Sequence, residues 1–188
     1  MVPFSVGIYT EDGNEMNNMI SHNVVICPKI DGCHWVSNEW QGSSGVKEGG
    51  IYLLGMTNDL IGNRVIGMEH GLWTPGSASG HGKGKATGKV CPEFTPFGKM
   101  VGNTYHDCAR FGTYPDHQYA RNIKRDEDGY VLKNEFGEME SCNQFTKDGA
   151  DNGLIPPNVI EDQFDWHNTF VGQYYMGDIS YKRNTFTI

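Results

Sequence analysis

The side chains best able to do chemistry in this chain are seven histidines and five cysteines: Cys27, Cys33, Cys91, Cys108 and Cys142. Neutral imidazole and thiolate are borderline-soft ligands suited to zinc. Two groupings stand out. Cys33 and His34 are adjacent, so on a strand they point to opposite faces. His106 and Cys108, with His117 further on, are two residues apart and would share a strand face, which is compatible with two ligands of one ion. No Cys-x-x-Cys or His-x-x-x-His spacing accompanies them, so the expectation is ordinary core and surface residues and no cofactor. The odd cysteine count argues against a complete disulfide framework, and free buried thiols are expected.

A second constellation lies in a Gly-rich stretch. Ser79-Gly80-His81-Gly82-Lys83-Gly84-Lys85-Ala86 resembles Ser-x-His-x-x-Gly-x-Ala, the start of the first metal motif of the zinc D,D-peptidases that cut bacterial peptidoglycan stems. The resemblance implies His81 as one zinc ligand and His167, in Asp165-Trp166-His167, as another. Two departures break the pattern. Gly88 stands where the family has its metal-binding Asp, and Phe164 stands where it has its catalytic Glu. Two ligands without a base do not activate water, so a divergent zinc hydrolase ranks third among the function classes. Asp148-Gly-Ala-Asp151-Asn152-Gly153 has part of a calcium loop, but Ala150 and Val159 occupy positions that require oxygen ligands. No Gly-x-Ser-x-Gly elbow, phosphate-binding loop or Gly-x-Gly-x-x-Gly is present.

Aromatic side chains are the remaining chemical signal. Four Trp, nine Tyr and nine Phe exceed what a small β core needs. Trp and Tyr bury large area while keeping a polar handle. Trp40, Trp73 and Trp166 are therefore the candidates for a subunit interface or a ligand platform.

These residues must be carried by strands. Ala occurs 5 times and Leu 6 times in 188 residues, against 25 Gly, 15 Asn and 24 Val plus Ile. That balance disfavours helices and suits pleated, half-buried surfaces. Asn23 to Lys29 reads as a strand, with Val24 and Ile26 on one face and Val25 and Cys27 on the other. The Asp31-Gly32 pair after it predicts a hairpin with His34 to Trp40. That register opposes a Cys27–Cys33 disulfide, and its two apolar faces imply covering on both sides. Further strands are expected at Gly50 to Met56, Arg64 to Met68, Lys89 to Phe94 and Lys99 to Tyr105, with a hairpin near Asp128-Gly129 and terminal strands over 169–188. Val159 to His167 is the one short helix candidate. Residues 73–88 and 146–157 read as exposed loops. No internal repeat of fixed period is evident.

The expectation is a single mainly-β domain over residues 1–188, a β-sandwich or jelly-roll-like fold with long Gly/Asn-rich loops and little helix. Formal net charge is −8, which lacks the basic footprint of a nucleic-acid binder. No apolar run of membrane-spanning length is present, and the first residues carry no secretory pattern, so synthesis in the cytoplasm is expected, with retention or later release. The function these features favour is a non-enzymatic assembly subunit, a homo-oligomer or part of a larger assembly. Within that class they favour a virion component such as a capsid-decoration, spike or tail protein. A carbohydrate- or cell-surface-binding module using Trp and Tyr comes second.

Overall fold

The computed structural model describes residues 6–10, 12–28, 49–74, 97–115, 158–175 and 179–187. All their regular structure is strand. Each turn of the chain lays down three strands. The first is β1 (Ile8–Thr10), β2 (Met19–Ser21) and β3 (Val24–Ile26). The second is β4 (Gly49–Leu53), β5 (Asp59–Ile61) and β6 (Arg64–Ile66), and the third is β7 (His70–Thr74), β8 (Met100–Val101) and β9 (Thr104–His106). The fourth is β10 (Phe111–Pro115), β11 (Asn158–Glu161) and β12 (Phe164–Trp166), and the fifth is β13 (Val171–Gln173), β14 (Ile179–Lys182) and β15 (Thr185–Thr187).

Equivalent strands of successive turns pair in parallel, giving three five-stranded sheets: β1-β4-β7-β10-β13 (sheet A), β2-β5-β8-β11-β14 (sheet B) and β3-β6-β9-β12-β15 (sheet C). This is a three-faced parallel β-helix of five coils. The mainly-β expectation holds, whereas a sandwich or jelly roll does not describe these sheets. Those folds are antiparallel, and every pairing here is parallel. Among the described residues no helix is present, and so none is long and apolar enough to cross a membrane.

Side chains stack in columns because each residue sits over its equivalent in the next coil. Inside, sheet B contributes Ile20, Leu60, Met100 and Ile160, and sheet C contributes Val25, Val65 and Tyr105. With Ile51, Leu53 and Leu72 of sheet A these form the main core. Sheet A meets the sheet C column through glycines: Gly7, Gly50, Gly71, Gly112 and Gly172. A Cβ on Gly50 would lie 2.1 Å from Val65 Cγ1, and one on Gly71 would lie 2.6 Å from Tyr105 Cβ. Only glycine lets the sheet A backbone come so near.

Sheets B and C are always joined by two residues. The first takes a left-handed conformation: His22, Gly62, Gly102, Asp162 and Arg183 all have φ between 53° and 65°. The second is Asn23, Asn63, Asn103, Gln163 or Asn184. Asn63 Oδ1 accepts from Asn23 N at 3.1 Å and Nδ2 at 3.0 Å, and Asn103 Oδ1 accepts from Asn63 N and Nδ2, both at 3.0 Å. This amide ladder satisfies turn groups that a bend would otherwise orphan.

The sequence therefore does contain a repeat, as Gly-x-aromatic triplets on sheet A (Gly7-Ile8-Tyr9, Gly50-Ile51-Tyr52, Gly71-Leu72-Trp73, Gly112-Thr113-Tyr114, Gly172-Gln173-Tyr174). It lacks a fixed period: in sheet C, equivalent residues of successive coils lie 40, 40, 60 and 21 residues apart. The expected helix at Val159 to His167 is instead β11 and β12, broken at Asp162. Its apolar residues pair with residues in other coils, and those contacts outweigh any weak amphipathic preference. The expected strand at Arg64 is present, and the expected Lys99 to Tyr105 strand is split by Gly102-Asn103 into β8 and β9. Trp73 and Thr74 belong to β7 and not to a loop. The hairpins at Asp31-Gly32 and Asp128-Gly129, the strand at Lys89 to Phe94 and the loop at 146–157 lie outside the described residues. Cys27 is disulfide-bonded, contrary to the free-thiol expectation, while Cys108 is free and buried.

Candidate functional site

Strand alternation places His106 (β9) and Trp166 (β12) on the outer face of sheet C, in register in neighbouring coils. Their rings stack with centroids 4.2 Å apart and planes 12° from parallel. Phe164, one outward position earlier on β12, lies 6.4 Å from Trp166 at 29° and is 40% exposed. The coil 5 residues paired with Phe164 and Trp166 are Thr185 and Thr187. Both are small, so the two rings stand proud of the sheet on that side.

Asp107 and His167 follow directly after β9 and β12. Both adopt left-handed backbone, φ 54° and 52°, at the corner where coil 2 has Gly67 at 71°. Asp and His tolerate this region better than most residues. The sharp corner directs both side chains outward beside the aromatic pair. His106 Nδ1 donates to Asp107 Oδ2 at 2.6 Å, and His167 Nδ1 donates to Asp107 Oδ1. One carboxylate thus orients two imidazoles through their Nδ1 atoms. Partial burial pushes the Asp107 carboxyl up, but the hydrogen bonds from His106 and His167 outweigh it and hold it below the usual range.

The paired expectation for His106 and Cys108 is not met. The left-handed residue between them ends the strand alternation, so His106 faces out and Cys108 turns inward. The Cys108 thiol is fully buried, its Sγ 3.6 Å from the His106 carbonyl oxygen. Burial, reinforced by the charge of Asp165, pushes the thiol well up from its ordinary range, so it is a neutral packing group and no thiolate ligand. Among the described residues no group of three His, Cys, Asp or Glu side chains is arranged to hold a metal.

His167 and Trp166 do come together with His106, which the sequence had grouped separately. Trp73 sits on the outer face of sheet A but is 3% exposed, packed edge-on to Tyr52 at 5.1 Å. It is a packing residue rather than a displayed one. His81, Trp40, Cys33, His34 and His117 lie outside the described residues. Sequence reasoning missed Asp107 and Phe164. The available signal was that Asp107 stands one residue after His106 as His167 stands one residue after Trp166, a coil-to-coil correspondence visible only once the repeat is aligned. Comparison with family models, curated proteins and solved structures finds no match.

Proposed function

We propose that this chain is a non-enzymatic carbohydrate- or cell-surface-binding module that reads its ligand on the outer face of sheet C. The observation that carries this reading is the strip formed by Phe164, Trp166 and His106, bordered by Asp107 and His167. Sugar rings present apolar C–H patches beside hydroxyl groups. Aromatic rings match the first, and a carboxylate with imidazole nitrogens matches the second. The parallel ladder beneath holds these groups at fixed spacing, which lowers the ordering cost of binding. A glycan array probed with the purified chain is expected to give discrete binding that Trp166→Ala removes while the far-ultraviolet circular dichroism stays unchanged. A blank array, or full binding by the Trp166→Ala variant, would defeat the proposal.

A second reading, an assembly subunit such as a virion component, is favoured by Val24 and Ile26. These are 59% and 60% exposed on the same outer face in coil 1, and exposed apolar strips invite protein partners. Mass photometry separates the two readings: a stable oligomer or capture by a larger particle supports assembly, and a monomer that binds glycan supports the first.

A further inference from the structure

Coil 4 breaks the rule that the interior is apolar. The inward sheet C column runs Val25, Val65, Tyr105, Asp165, Phe186. Asp165 is 0% exposed. Its Oδ2 accepts from Gln163 Nε2 and Gln173 Nε2, both at 2.8 Å, and Gln163 Nε2 also reaches Thr113 Oγ1 at 2.9 Å. Its Oδ1 is buried without a hydrogen-bond partner. That oxygen borders the gap left by the missing side chain of Gly112: a Cβ there would lie 2.5 Å from Asp165 Oδ1, 2.6 Å from the Gly172 carbonyl oxygen and 2.9 Å from Asn168 Nδ2. Asn168 Nδ2 already donates to the Tyr105 carbonyl oxygen at 3.1 Å. Two acceptor oxygens thus face one small gap, which suits a proton on Asp165 Oδ1.

We propose that Asp165 is a proton-dependent latch: its carboxyl joins β12 to β13 through Gln173 and to β10 through Gln163 and Thr113, and on ionisation the uncompensated buried charge on Oδ1, beside the Gly172 carbonyl oxygen, loosens coils 4 and 5. The groups facing it do not compensate a charge. From β9 the neighbour is Tyr105, from the corner after β9 Cys108, and from β14 Tyr181. Burial first, and the charge of Asp165 next, raise the proton affinity of all three, so they stay neutral at neutral pH. β10 and β13 face it with Thr113 and Gln173, and β15 with Phe186. Among the described residues no Lys, Arg or His side chain bonds to Asp165.

Burial pushes the carboxyl up to about 7, against the two amide hydrogen bonds that pull it down. The folded chain therefore holds this proton more tightly than the unfolded chain does. The contribution of Asp165 to stability is therefore fully present below about pH 4, is lost as pH rises to about 7, and is level above that. The inference is independent of the glycan reading.

The test is urea unfolding of wild type and Asp165→Asn, a near-isostere of the neutral acid, at pH 5 and pH 8. Relative to the variant, the wild-type folding constant is expected to fall roughly a hundredfold between these values. Parallel pH profiles for the two proteins would overturn the latch. If Asp165→Asn does not fold, infrared spectroscopy of aspartate-labelled wild type decides. A protonated carboxyl stretch present at pH 6 and lost by pH 8.5 is the expected result, and its absence at pH 6 refutes the proposal.

Discussion

Removing Asn63 tests the idea that the amide ladder, rather than apolar packing alone, fixes the B-to-C corners. Its buried side chain accepts from Asn23 N and Nδ2 and donates to Ile20 O at 2.8 Å and Asn103 Oδ1 at 3.0 Å. Asn63→Ala deletes all four bonds. A buried hydrogen bond contributes about 1 kcal/mol net, and a stranded partner costs more. Two losses are softened, because Asn103 Oδ1 keeps the Asn63 backbone N–H and Asn23 is exposed to water. The net cost is then about 2–4 kcal/mol, a large share of the roughly 5–15 kcal/mol that holds a domain folded. Asn23→Ala is the internal control. It removes one side-chain donor at an exposed corner and should cost about 1 kcal/mol or less. Urea titration followed by tryptophan fluorescence gives the difference as a shift in midpoint at constant slope. If Asn63→Ala is no worse than Asn23→Ala, the ladder is incidental to stability and the reasoning fails.

Gly50→Ala should destabilise by about 1–3 kcal/mol through overpacking against Val65, and Val65→Ala in the same chain should recover part of that loss; additive effects in a thermal-melt double-mutant cycle would contradict the close approach. Tyr105→Phe removes a buried hydroxyl that has no hydrogen-bond partner, so calorimetry is expected to show an unchanged or higher Tm. Cys108 should resist alkylation in the native protein and react only in denaturant, as read by peptide mass mapping.

Local strand character was legible where apolar and polar residues alternate. Val24, Val25 and Ile26 read as a strand, and Val25 faces in while Val24 and Ile26 face out. The coil-to-coil order was not legible. Asn63 bonds to residues 40 positions away on either side, whereas Gln163 meets Asn184 after 21. Insertions at the corners erase the period that would reveal a solenoid, although each Gly-x-aromatic triplet survives. At the candidate site Trp166 and His167 were recognised by residue type. Asp107 was not, because its role depends on a left-handed corner placing a carboxylate between two rings from different coils.

The unequal ladder spacing also bears on how the chain folds. Pairing β4 with β7, or β11 with β14, closes a loop of 21 residues; pairing β10 with β13 or β9 with β12 closes 60. By loop-closure entropy the longer step costs about 1 kcal/mol more. Each coil touches only its neighbours, so structure can start at separate points and spread. The β4–β7 pair and the β11–β14 pair are the two cheapest seeds, and the long closure that assembles His106, Asp107, Trp166 and His167 joins them last. Pulse-labelled hydrogen exchange should find amides of β4, β7, β11 and β14 protected before those linking β9 to β12. The surface that we assign to ligand binding is thereby made at the slowest seam of the molecule.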